Sequence, residues 1–364
     1  MKSLLFIALC DISDLTNGVT LKVRAQIEAF KQLGFQVTTA TYRQNQISIQ
    51  NDYVSLVKDS KFRRRDLFIE IRKFSKLNQF DVAFIRFPHF DLSVMSVLRL
   101  LKKKGVRVYL EIPSFPVNYP KKSLRVKYFQ FFDNIHQHLL KKYIFQVLAV
   151  GSPSKTIYGI HNKTIPNGYM HETKPTEMHA CQPEQIDILS LSSFYDIHGF
   201  DRLIEGYKLY MESNVHSTTV NIHLVGDGPC KSDLVSRVLT LKLEDYIKFY
   251  PPMSNDELND LYKIVNMGCA PLAIHRTNYT YASPLKTKDY FQKGLPYFCA
   301  YEEIGIDTNY PYVLKFPLDD TPIDIHQIVS FYQSYQKNCE QVKFDMQAYG
   351  EERFNWKNIF TFIK

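Results

Sequence analysis

The segment Ala282-Ser283-Pro284-Leu285-Lys286-Thr287-Lys288-Asp289-Tyr290-Phe291-Gln292-Lys293-Gly294-Leu295-Pro296 has the residue types needed to hold a phosphate. Ser283 is a favourable N-cap, and Pro284 suits the first helical position, where no amide donor is needed. Gly294 supplies a left-handed C-cap and Pro296 bars continuation, so the spacing predicts a short helix between them. Lys286 and Lys288 fall in its first turn, where cations oppose the positive end of the helix dipole. An anionic ligand resolves that conflict by taking up free amides, Leu285 among them, and pairing with a lysine. Asp289, about one turn on, is placed to accept hydrogen bonds from the vicinal hydroxyls of a sugar. Together these residues describe a nucleotide-diphosphate site. The alternative is an ordinary amphipathic helix with solvated lysines.

The run Ser283-Pro284-Leu285-Lys286-Thr287-Lys288-Asp289-Tyr290, followed by Gly294-Leu295-Pro296, resembles the donor-site signature of retaining GT-B glycosyltransferases of family 4 (glycosyl transferases group 1). It is most similar to the branch found in bacterial capsule and exopolysaccharide clusters. The resemblance implies that backbone amides at this helix start bind the donor diphosphate and that Asp289 binds ribose. Most of the family has Glu there, with another Glu eight residues earlier, where this chain has Tyr281. A ribose contact survives with a shorter arm; any role of the earlier acid does not.

Other segments extend the pattern. Ser192-Ser193-Phe194-Tyr195-Asp196-Ile197-His198-Gly199-Phe200-Asp201-Arg202 follows an apolar strand. Many relatives carry Arg and Lys in this loop, whereas the capsule branch has Trp-His-Gly-x-Asp-Arg. His198 then stands where a cation neutralises the leaving diphosphate, charged or as a hydrogen-bond donor; the alternative is a capping histidine. Arg202 either reaches phosphate or pairs with Glu205, and Arg276 is a further candidate cation. Gly226-Asp227-Gly228-Pro229 resembles the family's Gly-x-Gly turn beside the nucleotide, and Pro229 and the missing third glycine argue against a dinucleotide fingerprint.

On the acceptor side, Asn17-Gly18-Val19 follows the first strand and opens a helix, as a ligand contact or simply a tight turn. Lys22, in that helix's first turn, suggests a nearby anion. Arg86 and Glu111 end two strands and are expected to point into a cleft. Leu110-Glu111-Ile112-Pro113-Ser114-Phe115-Pro116 resembles a Glu-Ile-Pro-Thr-Tyr-Pro motif of the capsule branch. A carboxylate at Glu111 is placed to orient or deprotonate an acceptor hydroxyl; a salt bridge to Arg86 is the alternative. Gly151-Ser152-Pro153-Ser154 and Ile165-Pro166-Asn167-Gly168 resemble the family's domain-closing region.

These residues need strands to carry them. Apolar runs at Leu4–Leu9, Gln36–Tyr42, Asp81–Phe87, Val106–Ile112 and Phe145–Val150 alternate with helical patterns, the first with Val19, Val23, Ile27, Phe30 and Leu33 on one face and closed by Gly34. A second series follows at Ile186–Leu191, Asn221–Val225, Ile247–Tyr250, Gly268–Ala273 and Tyr297–Ala300, with a Ser254–Glu257 capping box. Alternation of this kind argues for parallel sheets with helices on both faces. The expected fold class is α/β, a GT-B arrangement of two Rossmann-like, doubly wound domains facing a central cleft. The resemblance implies that residues 1–170 form the acceptor domain, 171–185 a linker and 186–345 the donor domain, with 346–364 a helix crossing back to the first.

The 364 residues, 45% hydrophobic, suffice for two cores. No apolar run approaches the roughly 20 residues of a membrane span. The opening apolar run is short and is followed by Asp11 and Asp14, so it reads as a strand rather than a signal peptide. Six scattered cysteines indicate neither a zinc site nor a disulfide framework, and a cytoplasmic protein is expected. Residues 1–180 hold 28 Lys+Arg against 13 Asp+Glu, and the remainder 17 against 24, within a net charge of +8. The basic clusters (Lys61–Arg65, Arg72–Lys76, Lys102–Lys104, Lys121–Lys127, Lys141–Lys142) are interleaved with Phe and Tyr. They suggest peripheral attachment to an anionic membrane, on the inner face of the plasma membrane, with a solvated surface as the alternative. No nucleic-acid-binding pattern is present.

The resemblance thus implies transfer from a nucleotide diphosphate sugar to a saccharide or lipid-linked acceptor with retention, in surface polysaccharide or glycoconjugate synthesis, with no metal or other cofactor. Two rivals stand beside it. One is a non-catalytic GT-B subunit scaffolding a partner transferase, favoured by Tyr281 and by Ser192 and Ser193 in place of Arg and Lys. The other is a phosphorylase or epimerase.

Overall fold

The computed structural model describes residues 1–14, 17–117, 124–169, 184–213, 218–277 and 279–363. Most of the expected linker, 171–183, lies outside them, as do Lys121 and Lys122 of one basic cluster. The chain divides into two units, Met1–Met170 with Trp356–Lys364 and His171–Asn355.

The first unit is built on strands β1 (Lys2–Asp11), β2 (Phe35–Arg43), β3 (Gln46–Gln50), β4 (Ser55–Lys58), β5 (Val82–Arg86), β6 (Arg107–Ile112), β7 (Gln146–Val150), β8 (Thr156–Ile157) and β9 (Ile160–Ile165), ordered β4-β3-β2-β1-β5-β6-β7-β9-β8. Its centre is parallel, and both faces of the central strands are buried, as their continuous apolar runs require. Side chains alternate: Leu4, Phe6, Ala8, Val82, Phe84 and Tyr109 face one layer, while Leu5, Ile7, Ala83, Ile85, Val108 and Leu110 face the other. Helix α1 (Gly18–Gln32) covers the first face; α2 (Arg63–Leu77) and α3 (Leu92–Lys103) cover the second, and α4 (Leu124–Leu140) follows β6.

The sheet is not purely parallel. β2, β3 and β4 form an antiparallel meander, and the β2–β3 turn is Gln44-Asn45 with both φ positive, 48° and 64°. That two-residue geometry usually takes Asn-Gly, so the sequence does not signal it. The Asp11 carboxylate accepts from the Gln44 and Asn45 amides at 3.2 and 2.7 Å and holds the turn.

The second unit contains β10 (Gln185–Leu191), α5 (Phe200–Glu212), β11 (Thr219–Val225), α6 (Lys231–Thr240), β12 (Ile247–Tyr250), α7 (Asn255–Tyr262), β13 (Met267–Cys269), β14 (Tyr281–Ala282), α8 (Leu285–Lys293), β15 (Tyr297–Cys299), β16 (Glu302–Glu303), β17 (Val313–Lys315), α9 (Ile325–Tyr335) and α10 (Cys339–Phe354). Six strands form a parallel sheet in the order β12-β11-β10-β13-β15-β17, and β14 pairs with β16. The Ser254–Glu257 capping box is present at the start of α7.

The returning segment begins at Trp356 with α11 (Trp356–Ile359). Trp356, Phe360 and Ile363 are fully buried in the first unit, with Phe360 stacked on Phe30 at 4.6 Å. Residues 346–355, expected in this segment, instead belong to α10 and the second unit. Cys10, Cys230, Cys269 and Cys299 are free thiols, while Cys339 is disulfide-bonded, contrary to the expectation from cysteine spacing.

Candidate functional site

The helix expected to hold phosphate is α8, and it ends as its sequence requires, on Gly294 at φ 68° and ψ 36°. Its start differs. Pro284 is the N-cap, with φ −64° and ψ 152°, and no side chain caps the helix. Ser283 therefore lies one position too early to cap. The first-turn amides, Leu285 among them, are left to other partners.

The two first-turn lysines have separate fates. Lys288 is buried and ion-paired with Glu303 of β16, which also accepts from Thr287 Oγ1 at 2.5 Å, Tyr297 at 2.8 Å and Tyr301 at 2.9 Å. Its charge is answered inside the protein, so Lys288 is corrected from ligand to structural residue. Lys286 has no carboxylate partner among the described residues; its ammonium donates to Ser192 Oγ. Burial draws its pKa down to about 8.

Ser192 also lies 3.4 Å from His198 Nδ1, and the imidazole stacks on Phe200 at 5.7 Å. Burial, reinforced by Lys286, pushes the His198 pKa down to about 3. An ammonium can only donate, so the Ser192 hydroxyl keeps its hydrogen for Nδ1 or for Ser190 Oγ, 3.3 Å away. A neutral imidazole carries one hydrogen, which is on Nε2 where Ser192 donates to Nδ1, and His198 is then a donor rather than a cation. Ser192, which stands where many relatives of the resembled family carry a cation, thus links Lys286 to His198. A side chain bridging β10 to a helix 94 residues later has no signal in the sequence.

Two glycines set the position of this loop. Gly226 has φ 139°, and a Cβ there would lie 1.9 Å from the Ser192 carbonyl oxygen; at Gly228 it would lie 2.5 Å from the Phe194 amide nitrogen. The bonds Ser192 N to Val225 O and Phe194 N to Asp227 O, both 2.9 Å, complete the contact. In this structure the pair acts as a spacer that admits the Ser192 loop. Gly226→Ala is expected to lower the melting temperature, read by calorimetry; an unchanged melting temperature would show that the Ser192 loop has room for a Cβ there.

Asp289 lies one turn beyond Lys286 and is half-buried. Tyr281 is in β14, in register with Glu302. Arg276 is held by three carboxylates, Asp201 at 2.7 Å, Asp196 at 2.8 Å and Asp320 at 2.7 Å. Three negative charges on one guanidinium make this a clamp between loops and leave no positive charge free for phosphate. Arg202 does not pair with Glu205. It is buried and donates to the carbonyls of Thr321, Leu272 and Pro317, while Glu205 pairs with Arg237.

The acceptor-side residues lie in the first unit. Asn17 caps α1, accepting from the Val19 amide at 2.8 Å, and Gly18 is the first helical residue, so both serve a tight turn here. Glu111 is fully buried on the α1 face of β6, in phase with Tyr109. Lys22 at 2.7 Å and Gln26 at 2.9 Å bond one carboxylate oxygen, and Arg86 at 3.2 Å bonds the other. Burial alone would raise its pKa, but Lys22 and Arg86 outweigh it and hold the group at about 2. Glu111 is thus corrected from candidate base to the centre of a buried ion-pair cluster. The anion that Lys22 predicts is Glu111 itself.

Two cavities lie in the first unit. One, of about 600 Å³, lies at the carboxyl ends of β1 and β2 and is lined by Lys61, Arg63 and Arg65 together with Tyr42, Phe62 and Tyr128. The other, of about 390 Å³, lies between α1 and the meander. No cluster of three or more His, Cys, Asp or Glu is placed to hold a metal among the described residues.

No family model matches the chain, and no curated protein matches it. Solved structures do. A glycosyltransferase from Rickettsia africae superposes with TM-score 0.63 at 12% identity, over 98% of this chain and 95% of that one. Anabaena HepE in complex with UDP gives TM-score 0.62 at 14% identity, over 100% and 98%. Sucrose-phosphate synthase from Thermosynechococcus elongatus gives 0.62 at 15%, over 100% and 97%. Identities this low establish the fold alone: the protein has the α/β GT-B glycosyltransferase fold, with two Rossmann-like domains.

Proposed function

We propose that the protein transfers a sugar, with retention, from a nucleotide diphosphate sugar to a saccharide or lipid-linked acceptor in surface polysaccharide or glycoconjugate synthesis. The observation that carries this reading is the uncapped start of α8, where Lys286, Ser192 and His198 converge with no carboxylate among the described residues to neutralise Lys286. A diphosphate supplies the missing negative charge. The UDP held by the HepE structure is consistent with that ligand class.

In this reading the Leu285 amide, Lys286 and the His198 Nε2–H meet the phosphate oxygens, and Asp289 meets the ribose. The bond from the anomeric carbon to the phosphate oxygen breaks as a bond to the acceptor oxygen forms on the same face. The acceptor proton passes to the departing phosphate, so no protein base is required, in keeping with the occupied carboxylate of Glu111. Lys286 and His198 stabilise the charge that builds on the leaving group. The acceptor enters the cavity at the ends of β1 and β2.

Thermal stabilisation by UDP, GDP, ADP, CMP and TDP, with and without EDTA, tests the donor site. A ligand at about a hundred times its dissociation constant adds about 2.7 kcal/mol. One diphosphate is expected to give a metal-independent shift, and Asp289→Ala to weaken its binding by about 1–3 kcal/mol. No shift with any of the five would favour a non-catalytic subunit.

A further inference from the structure

Helix α4 carries Leu124, Tyr128, Phe131 and Ile135 at i, i+4, i+7 and i+11, which places them in one stripe. They are 84, 50, 59 and 47% exposed. The opposite face is anchored: Asp133, His136 and Leu140 are buried, and Asp133 accepts from the Phe90 amide at 2.5 Å and meets His89 at 2.7 Å. The stripe is bordered by exposed Lys127 and His138 and continues into exposed Lys141 and Lys142. From Leu124 to Lys142 the sequence contains one carboxylate, the buried Asp133. An apolar stripe with aromatic rings, a basic border and no exposed acid matches a water–lipid boundary bearing negative charge.

We propose that α4 seats the protein on an anionic bilayer, with the four apolar side chains at the acyl boundary and the lysines on lipid phosphates. A second copy of the chain fits this face poorly, because it would bring the same basic border against itself. Other basic clusters contribute less than their residue count suggests. Arg64 is ion-paired with Asp91, and Lys104 donates to the carbonyls of Lys76 and Asn78. Tyr128 also lines the cavity at the carboxyl ends of β1 and β2, whereas Phe131, Ile135 and the three lysines do not, and the test needs no activity.

The experiment is co-sedimentation with vesicles of phosphatidylcholine alone and of phosphatidylcholine with phosphatidylglycerol. Wild type should bind the mixed vesicles and not the neutral ones. Combined Phe131→Ser and Ile135→Ser should cut partitioning at least about tenfold. Combined Lys127→Gln, Lys141→Gln and Lys142→Gln should cut it by about fivefold per lysine, on the order of a hundredfold. All these side chains are exposed, so melting temperatures should stay at the wild-type value. Unchanged partitioning of the Phe131/Ile135 variant overturns the proposal, as does equal binding to both vesicles. Self-association in solution that Phe131→Ser abolishes would also overturn it, by assigning the stripe to a second copy.

Discussion

Lys286→Met should weaken nucleotide-diphosphate binding while leaving the fold as stable as before, or more so. Charge-assisted hydrogen bonds to phosphate contribute about 1.5–3 kcal/mol, so affinity should fall by roughly ten- to more than a hundredfold. Transfer should fall further, by about 10²–10³, because the leaving phosphate carries most charge in the transition state. The stability prediction follows from the lowered pKa of about 8. An unfolded chain holds this proton up to about pH 10.5. Between those values the unfolded state binds more protons, so the contribution of Lys286 to stability rises with pH, and Lys286→Met should remove that slope. A bound diphosphate favours the ammonium, so affinity should decline as pH rises above 8. Titration calorimetry of wild type and variant across this range checks both parts. Undiminished affinity in Lys286→Met would remove the lysine from the donor site.

Glu111→Gln should destabilise the first unit by about 3–5 kcal/mol, because it leaves Lys22 and Arg86 close together in a buried site without their counter-charge. Trp356, the chain's single tryptophan, is buried in this unit with Lys22 Nζ 5.3 Å from its ring centroid. Denaturation followed by its fluorescence reads the effect locally. Adding Lys22→Met to Glu111→Gln should recover part of the loss, since it restores charge balance. The wild-type carboxylate, held at about 2, adds stability that is fully present above the unfolded value near 4.5. That contribution is lost as pH falls from about 4.5 to 2. Unchanged stability with abolished transfer would return Glu111 to the role of catalytic base.

Lys286 and Glu111 also show how far the sequence can be read. Both stand in motifs that resemble family 4, and both were assigned to ligands on residue type and position. Lys286 stays a candidate for a ligand because no acid reaches it among the described residues. Glu111 does not, because α1 lays Lys22 and Gln26 across its carboxylate, 89 and 85 residues away in sequence. Lys288 shows the same effect at shorter range, since Glu303 meets it only once β16 pairs with β14.

What the sequence determined by itself is whatever short-range physics controls. Apolar runs that alternate with helical periodicity imply parallel sheets, and Gly294, Gly34 and the Ser254–Glu257 box mark helix ends through local backbone geometry. Tertiary structure decided which charges meet. It turned Arg276 into a clamp on three acids, buried Lys22 against Glu111, and set Ser192 between Lys286 and His198. It also placed the antiparallel meander, held by Asp11 rather than by a turn signature. Burial and counter-charge belong to three-dimensional neighbours, and residues 80 to 100 positions apart leave no periodic trace of their pairing.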